Sequence, residues 1–416
     1  MTSTIADATE IAKTLYHGVV PEIGFTDTPF WGMLPKNENF FGLNKAFSSR
    51  YTKTPGASKT YARSRTRAGA SAFGRWTVTR TEDFVTMQIE AQMYEALGNE
   101  EGAQTNYVEE ESTSAFDHAV QRIERNLFRN AGGAVARISD DGDTAVLTVT
   151  DPADLVGLDV GQYVTTSNTD GTSGSDDGFP QEITGIDRVA GTLTTDAASW
   201  DVDGGFSDND YLFVDGDFGL ALSGLDAWIP PQNPTSALFY GQDRSIDVQR
   251  LGGIRYTAQA GEPDGSIERA LVNAGVLAHN LGGRTSHIFM NTLDYGVFLN
   301  DLGNRARVHI TPGQGIDGKK LEVSYSGIKV QLASGTAVVY PSRHCQRYTA
   351  WLLDMKDLQW CGLGKTPRFF DLDGGKWFRM SADDVHGLEA YLYWYGQFVV
   401  KSPGCHVRVD LTELFE

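Results

Sequence analysis

Cysteine is scarce in this 416-residue sequence: Cys345, Cys361 and Cys405 are far apart and odd in number. They exclude a disulfide framework, and their spacing offers no zinc site, so they read as reduced thiols in a cytoplasm. No apolar run reaches the roughly 18 residues that a membrane span needs. The opening MTSTIADATEIAKTL lacks a basic n-region and an apolar h-region, so no signal peptide is expected. The eight histidines are scattered without an HExxH pair or other metal-ligand spacing. No GxSxG nucleophile elbow occurs either. These absences remove the marked classes of hydrolase and metalloenzyme, and the expectation is that the chain is not an enzyme.

Two glycine patterns imitate nucleotide sites. GLGKT at 362–366 ends like a phosphate-binding loop, but the first glycine of that motif would fall at Gln359, and Pro367 stands where a helix should begin. It reads as a turn between strands. GQGIDG places Gly313, Gly315 and Gly318 at dinucleotide spacing, yet Pro312 precedes it and the strand-like KKLEVSYSGIKVQL follows it. The aspartate clusters NTDGTSGSDDG and DVDGGFSDND offer oxygen ligands on glycine turns. They miss the EF-hand spacing and equally suit ordinary turns, so calcium stays an alternative there and no other cofactor is expected.

Charge is unevenly placed. The net charge is −19, but residues 138–217 hold eighteen acids against Arg188 alone and so contribute −17. Residues 36–80 hold ten Lys and Arg against Glu38. The acidic segment is a solvated module or meets charged neighbours. Aromatics lie among the basic residues (Phe40, Phe41, Tyr51, Tyr61, Phe73 and Trp76) and would stack on nucleic acid or pack on another subunit. The acidity of the whole chain favours the subunit.

Along the chain, residues 1–40 are proline-broken and read as an arm. Residues 41–92 read as a long projecting hairpin with a polar, basic tip. Within 93–133, Val108, Phe116, Ala119, Val120, Ile123 and Leu127 follow helical spacing. The helix runs from acids Glu109–Glu111 to Arg122, Arg125 and Arg129, which suits its dipole, and Gly132 and Gly133 stop it. Residues 134–219 are short strands (AVLTVT, GQYVTTS, QEITGIDRV, GTLTTD, DYLFVDGD), a small all-β barrel or sandwich. Residues 220–350 add the helices SIERALVNAGVLAHNL and TLDYGVFLNDLG around the strand SHIFMN. Residues 351–416 end in period-two strands, with Leu388, Ala390, Leu392 and Trp394 on one face.

This order resembles the major capsid proteins of tailed double-stranded DNA phages and archaeal tailed viruses, the Hong Kong 97-type fold. The supports are FVTMQIEAQMYEAL leading to IERNLFRNAGG, then LSGLDAWIPP, RTSHIFMNTLDYGVFLNDLG, YSGIKVQLASGTAVVYPS and HGLEAYLYWYGQFVVKSPGCHVRVDL. The resemblance implies an α+β capsid fold: N-arm, extended hairpin loop, peripheral domain on a long spine helix, axial domain, and an inserted all-β domain at 134–219. It implies self-assembly into hexamers and pentamers, a portal protein, packaged DNA bound without sequence preference, and location in the virion after assembly in host cytoplasm. Scaffolding and decoration proteins are further partners; no long scaffolding helix is read at the N-terminus. Inter-subunit contacts fall to Lys53, Lys59, Arg63, Arg65, Arg67 and Trp76. Some relatives weld their shells by a lysine–asparagine bond. Lys53 and Lys59 supply the amine, but no asparagine follows Asn304 and His386 stands near the acceptor's place, so no such crosslink is expected. Encapsulin-type compartments resemble the same fold but usually lack such an insert; with head-decoration and tail proteins they are the alternatives.

Overall fold

The computed structural model describes residues 28–90, 101–140, 145–176, 178–196, 209–261, 263–303, 328–371, 377–379 and 387–415. Two six-stranded sheets and a closed barrel carry the architecture. The long strand Gly387–Val400 organises the first sheet, pairing antiparallel with Thr81–Glu90 over its first ten residues and with Leu358–Gly362 from Gly396 to its end. Its period-two pattern buries Ala390, Leu392 and Trp394. The long helix Glu101–Phe128 spans about 42 Å at 1.5 Å per residue. It lays Ala115 against Met87, Ala390 and Leu392, and drives Ile123, Leu127 and Phe128 into the main core. Phe116, which the helical spacing also put on the apolar face, is instead 42% exposed.

That core is aromatic. Trp76, Trp228, Trp351 and Trp360 are all fully buried, or nearly so, beside Phe30, Phe289 and Phe398. Each aromatic side chain removes about 150–250 Å² from water, which makes this cluster the largest single stabilising unit. Residues 28–40 belong to it, which corrects the reading of 1–40 as an arm for its described part. Phe30, Trp31, Leu34 and Phe40 are buried there. The reason is local: the short helix Pro29–Met33 points its first amides at Glu124, which accepts from Phe30 N (3.1 Å), Trp31 N (2.6 Å) and Ser342 Oγ (3.2 Å). Residues 1–27 lie outside the described residues.

The second sheet is mixed, in the order Ile254–Thr257, Val407–Asp410, Thr349–Leu353, His287–Met290, Gly335–Pro341, Ile328–Leu332. Helices Ile267–Asn280 and Thr292–Gly303 cover it, joining Ala270, Leu271, Ala274 and Phe298 to Ile288, Val339, Leu352 and Val407 in one core. Gly275 allows the close approach, since a Cβ there would stand 2.9 Å from Leu332 Cδ2. The C-terminal period-two runs thus end in different sheets. His406, just ahead of the last strand Val407–Asp410, is fully buried.

Between them stands a six-stranded closed barrel spanning Ala136 to Val214. Ile138, Leu147, Val149, Leu155, Val164, Ile183, Leu193 and Leu212 fill it. Its first strand, Ala136–Asp140, was not among the segments read from the sequence.

Candidate assembly surfaces

The hairpin is shorter than the sequence suggested. Asn44–Arg50 pairs with Phe73–Thr79, whereas Thr81–Glu90, read as a continuation of the second strand, belongs to the sheet of the long strand. Alternation gives the hairpin two faces. Gly74, Trp76 and Val78 turn inward; Phe73, Arg75, Thr77 and Thr79 turn out. Trp76 is fully buried, 6.1 Å from the Trp228 ring, so it anchors the hairpin to its own chain and is not a contact surface. Thr77 N–H donates to the Tyr240 carbonyl at 2.9 Å, and Arg75 N–H to Gln242 Oε1 at 3.0 Å. Arg250 Nη1 reaches the Tyr51 carbonyl at 2.6 Å.

Beyond that anchor the tip has no core. No residue from Tyr51 to Ala72 is buried, and this stretch carries five basic residues and no acid. Lys53, Lys59, Arg63, Arg65 and Arg67 are all exposed, as is Tyr61. The tip includes a six-residue helix, Tyr61–Thr66, that the sequence reading missed. So short a helix is marginal alone. It is tied by Ser64 Oγ donating to the Gly56 carbonyl and by Ala72 N–H donating to Thr52 Oγ1 at 2.7 Å across the neck. Among the described residues, no strand pairs with the outer edge of Asn44–Arg50. An unpaired strand edge thus lies beside an exposed basic tip. Phe41 and Phe73 are exposed there, at 79% and 60%.

The acids of the barrel divide into two sets. The inner set docks the barrel on the long helix. Arg122 Nη2 lies 2.9 Å from both Asp83 and Asp217, Arg125 Nη1 donates to the Gly157 carbonyl at 3.2 Å, and Arg129 pairs with Asp154. Burial pulls Arg122 down, but Asp83 and Asp217 outweigh it and hold the guanidinium above its ordinary value. Arg125, fully enclosed and beside Arg122, is pushed down to about 10. The arginines that the sequence offered as partners of the helix dipole thus have a second task. Their spacing of three and four residues was the available signal. The outer set, Asp159, Asp187, Asp196 and Asp215, is exposed. Asp187 accepts from the amides of Val189 and Ala190, which hold its carboxyl below the usual range.

The motifs set aside from the sequence fall into place. GLGKT is the connection between strands Leu358–Gly362 and Arg368–Phe369, and Trp360 Nε1 donates to Thr366 Oγ1 at 3.2 Å. GQGIDG and His386 lie outside the described residues. Asp170, from the first aspartate cluster, accepts from Asn130 Nδ2 (2.8 Å) and from Thr172 N and Oγ1 (3.1 and 2.6 Å), which is turn chemistry. Most of the second cluster, 201–208, is outside the described residues. Among the described residues no three His, Cys, Asp or Glu side chains are grouped to hold a metal, and no helix is long and apolar enough to cross a membrane.

No model of a known protein family and no curated protein matches the sequence. Solved structures do match. A chain of the cyanophage A-1(L) capsid asymmetric unit superposes with a TM-score of 0.53 at 11% identity, covering 96% of each chain. The holo-SrpI encapsulin complex from Synechococcus elongatus gives 0.47 at 8% identity, covering 100% of this chain and 98% of the other. The capsid of a native GTA particle gives 0.46 at 10%, covering 99% of each. The cyanophage match, end to end along both chains, carries the assignment: the chain has the Hong Kong 97-type capsid fold.

Proposed function

We propose that this chain is a viral major capsid protein, whose copies form the hexamers and pentamers of an icosahedral shell around packaged double-stranded DNA. The observation that carries the reading is the basic hairpin, a tip without a core on a fold shared along its whole length with a phage capsid subunit. Within that fold, 44–79 acts as the extended loop, and the long helix with the Gly387–Val400 sheet acts as the peripheral domain. The mixed sheet and its two helices act as the axial domain, and the barrel as an insertion. The tip of one copy reaches the exposed acids of the next. A portal protein, scaffolding and decoration proteins, and location in the virion after assembly in host cytoplasm belong to the same proposal. So does calcium at the acidic insertion, 134–219, as a secondary ligand.

Negative-stain microscopy of the purified chain, alone and with the products of its neighbouring genes, tests the reading. Closed shells or free pentamers and hexamers are expected. A small discrete oligomer that never builds capsomers would turn attention to a decoration role. Because Lys53 and Lys59 face no asparagine after residue 304, shells boiled in detergent should run as monomers; ladders of covalent oligomers by mass spectrometry would contradict that.

A further inference from the structure

The barrel keeps its own core. Ile138, Leu147, Leu155, Val164, Ile183 and Leu212 form a cluster apart from the main one, to which the long helix gives Ile123, Leu127 and Phe128. The barrel meets that helix through polar groups instead. Arg122 reaches Asp217, Arg129 reaches Asp154, Arg125 reaches the Gly157 carbonyl, and His118 Nε2 stands 3.1 Å from Gln162 Nε2. The connections into and out of the barrel run side by side, the Gly219 amide donating to the Gly132 carbonyl at 2.8 Å. Each carries a glycine in the left-handed region, Gly133 at φ +88° and Gly219 at φ +68°. A module with its own core, a polar joint and a glycine neck has the parts of a hinge.

Among the groups of that joint, His118 is the one whose charge changes near neutral pH. Arg122 and Arg125 stand beside it on the same helix, Asp83 faces it from strand Thr81–Glu90, and Asp159 and Gln162 face it from the barrel. Both acids are already engaged: Asp83 holds Arg122 at 2.9 Å and Asp159 holds Arg188 at 3.0 Å. Gln162 satisfies a neutral ring with either end of its amide, but it cannot neutralise an imidazolium. Burial, and then Arg122 and Arg125, hold the docked ring down to about 4.

We propose that the barrel is a hinged module, latched to the long helix at neutral pH and released, still folded, when His118 takes up a proton. Once released, the ring returns to water and titrates near 6.5. From 6.5 down to about 4 the released form holds a proton that the docked form refuses, so each pH unit favours release about tenfold. Asp154 works in the opposite sense, since burial raises its carboxyl and docking gains when it protonates. Its ordinary value is 3.8, so the histidine acts first as pH falls from 7. The latch needs only one copy of the chain and is independent of the capsid reading.

Val189 on the barrel and Leu293 on helix Thr292–Gly303 line one cleft between barrel and second sheet, and both are exposed. Pyrene labels on Val189→Cys and Leu293→Cys in the full-length chain report docking by excimer emission. Cys405→Ser removes the half-buried native thiol, and Cys345 and Cys361 are buried. Between pH 7 and pH 5 the released-to-docked ratio should rise about twentyfold, with the emission of the buried tryptophans unchanged. His118→Gln, neutral at every pH, should lose that response. Gln162→Glu, which gives the imidazolium a counter-charge, should keep the barrel docked to lower pH. Excimer emission that persists until the tryptophan emission shifts, or the wild-type release in either variant, would overturn the latch.

Discussion

His406, His344 and His118 are kept neutral by the fold. Burial pushes His406 down to about 3. His344 is also pushed down to about 3, by burial and then by Arg343, Arg125 and Arg129. His118 falls to about 4, by burial and then by Arg122 and Arg125. In the unfolded chain each titrates near 6.5. Above that pH both states are neutral and the histidines add nothing. As pH falls from 6.5 toward 4, the unfolded chain takes up protons that the native chain refuses, so stability drops. The slope is about 1.4 kcal/mol per pH unit for each such histidine. Urea midpoints at pH 7 and pH 5 should show the loss, and His406→Asn should reduce it, because its amide oxygen can still accept the Asp354 N–H bond. Trp76 is the other decisive single residue. Trp76→Ala removes the hairpin's anchor and should cost about 3–5 kcal/mol in equilibrium unfolding. A surface contact residue would cost almost nothing.

At the scale of elements, the barrel is joined to the rod by charges. Arg122 bridges Asp83 and Asp217, and Arg129 holds Asp154, at side chains mostly shielded from water. Breaking one partner of such a pair costs about 3–5 kcal/mol. Arg122→Ala with Arg129→Ala should expose the joints at 130–135 and 215–224 to limited proteolysis, while the barrel itself survives as a resistant fragment. Protection equal to the wild type would mean the apolar contacts suffice.

The long helix, the barrel segments and the helix Ile267–Asn280 were legible in the sequence because their periodicities are local. The hairpin's true end was not. RWTVTRTEDFVTMQIE reads as one run, and only pairing divides it at Arg80: Phe73–Thr79 finds a strand next to it in sequence, Thr81–Glu90 one from the far end of the chain. Likewise nothing local says that Trp76 faces in and Tyr61 faces out. The charge separation was legible too: the five cations of the tip and four of the barrel's acids are at the surface. The segment 28–40 misled because its proline breaks hide a partner, Glu124, that lies far along the chain.

For the whole molecule, the fold puts a strongly acidic barrel and a basic, coreless tip on one chain. Attraction within one copy would leave a monomer; the proposed capsid role requires that it act between copies. Interactions between such exposed charges are screened over about 8 Å at physiological salt, so assembly should weaken as salt rises. The most direct test is sedimentation velocity of the wild-type chain beside a variant carrying Arg63→Glu, Arg65→Glu and Arg67→Glu, with thermal melts of both. The account predicts capsomers or shells for the wild type, and for the variant a monomer that melts at the same temperature, since no residue of the tip is buried. Shells formed equally well by both, or a wild type that stays monomeric under every assembly condition, would contradict it.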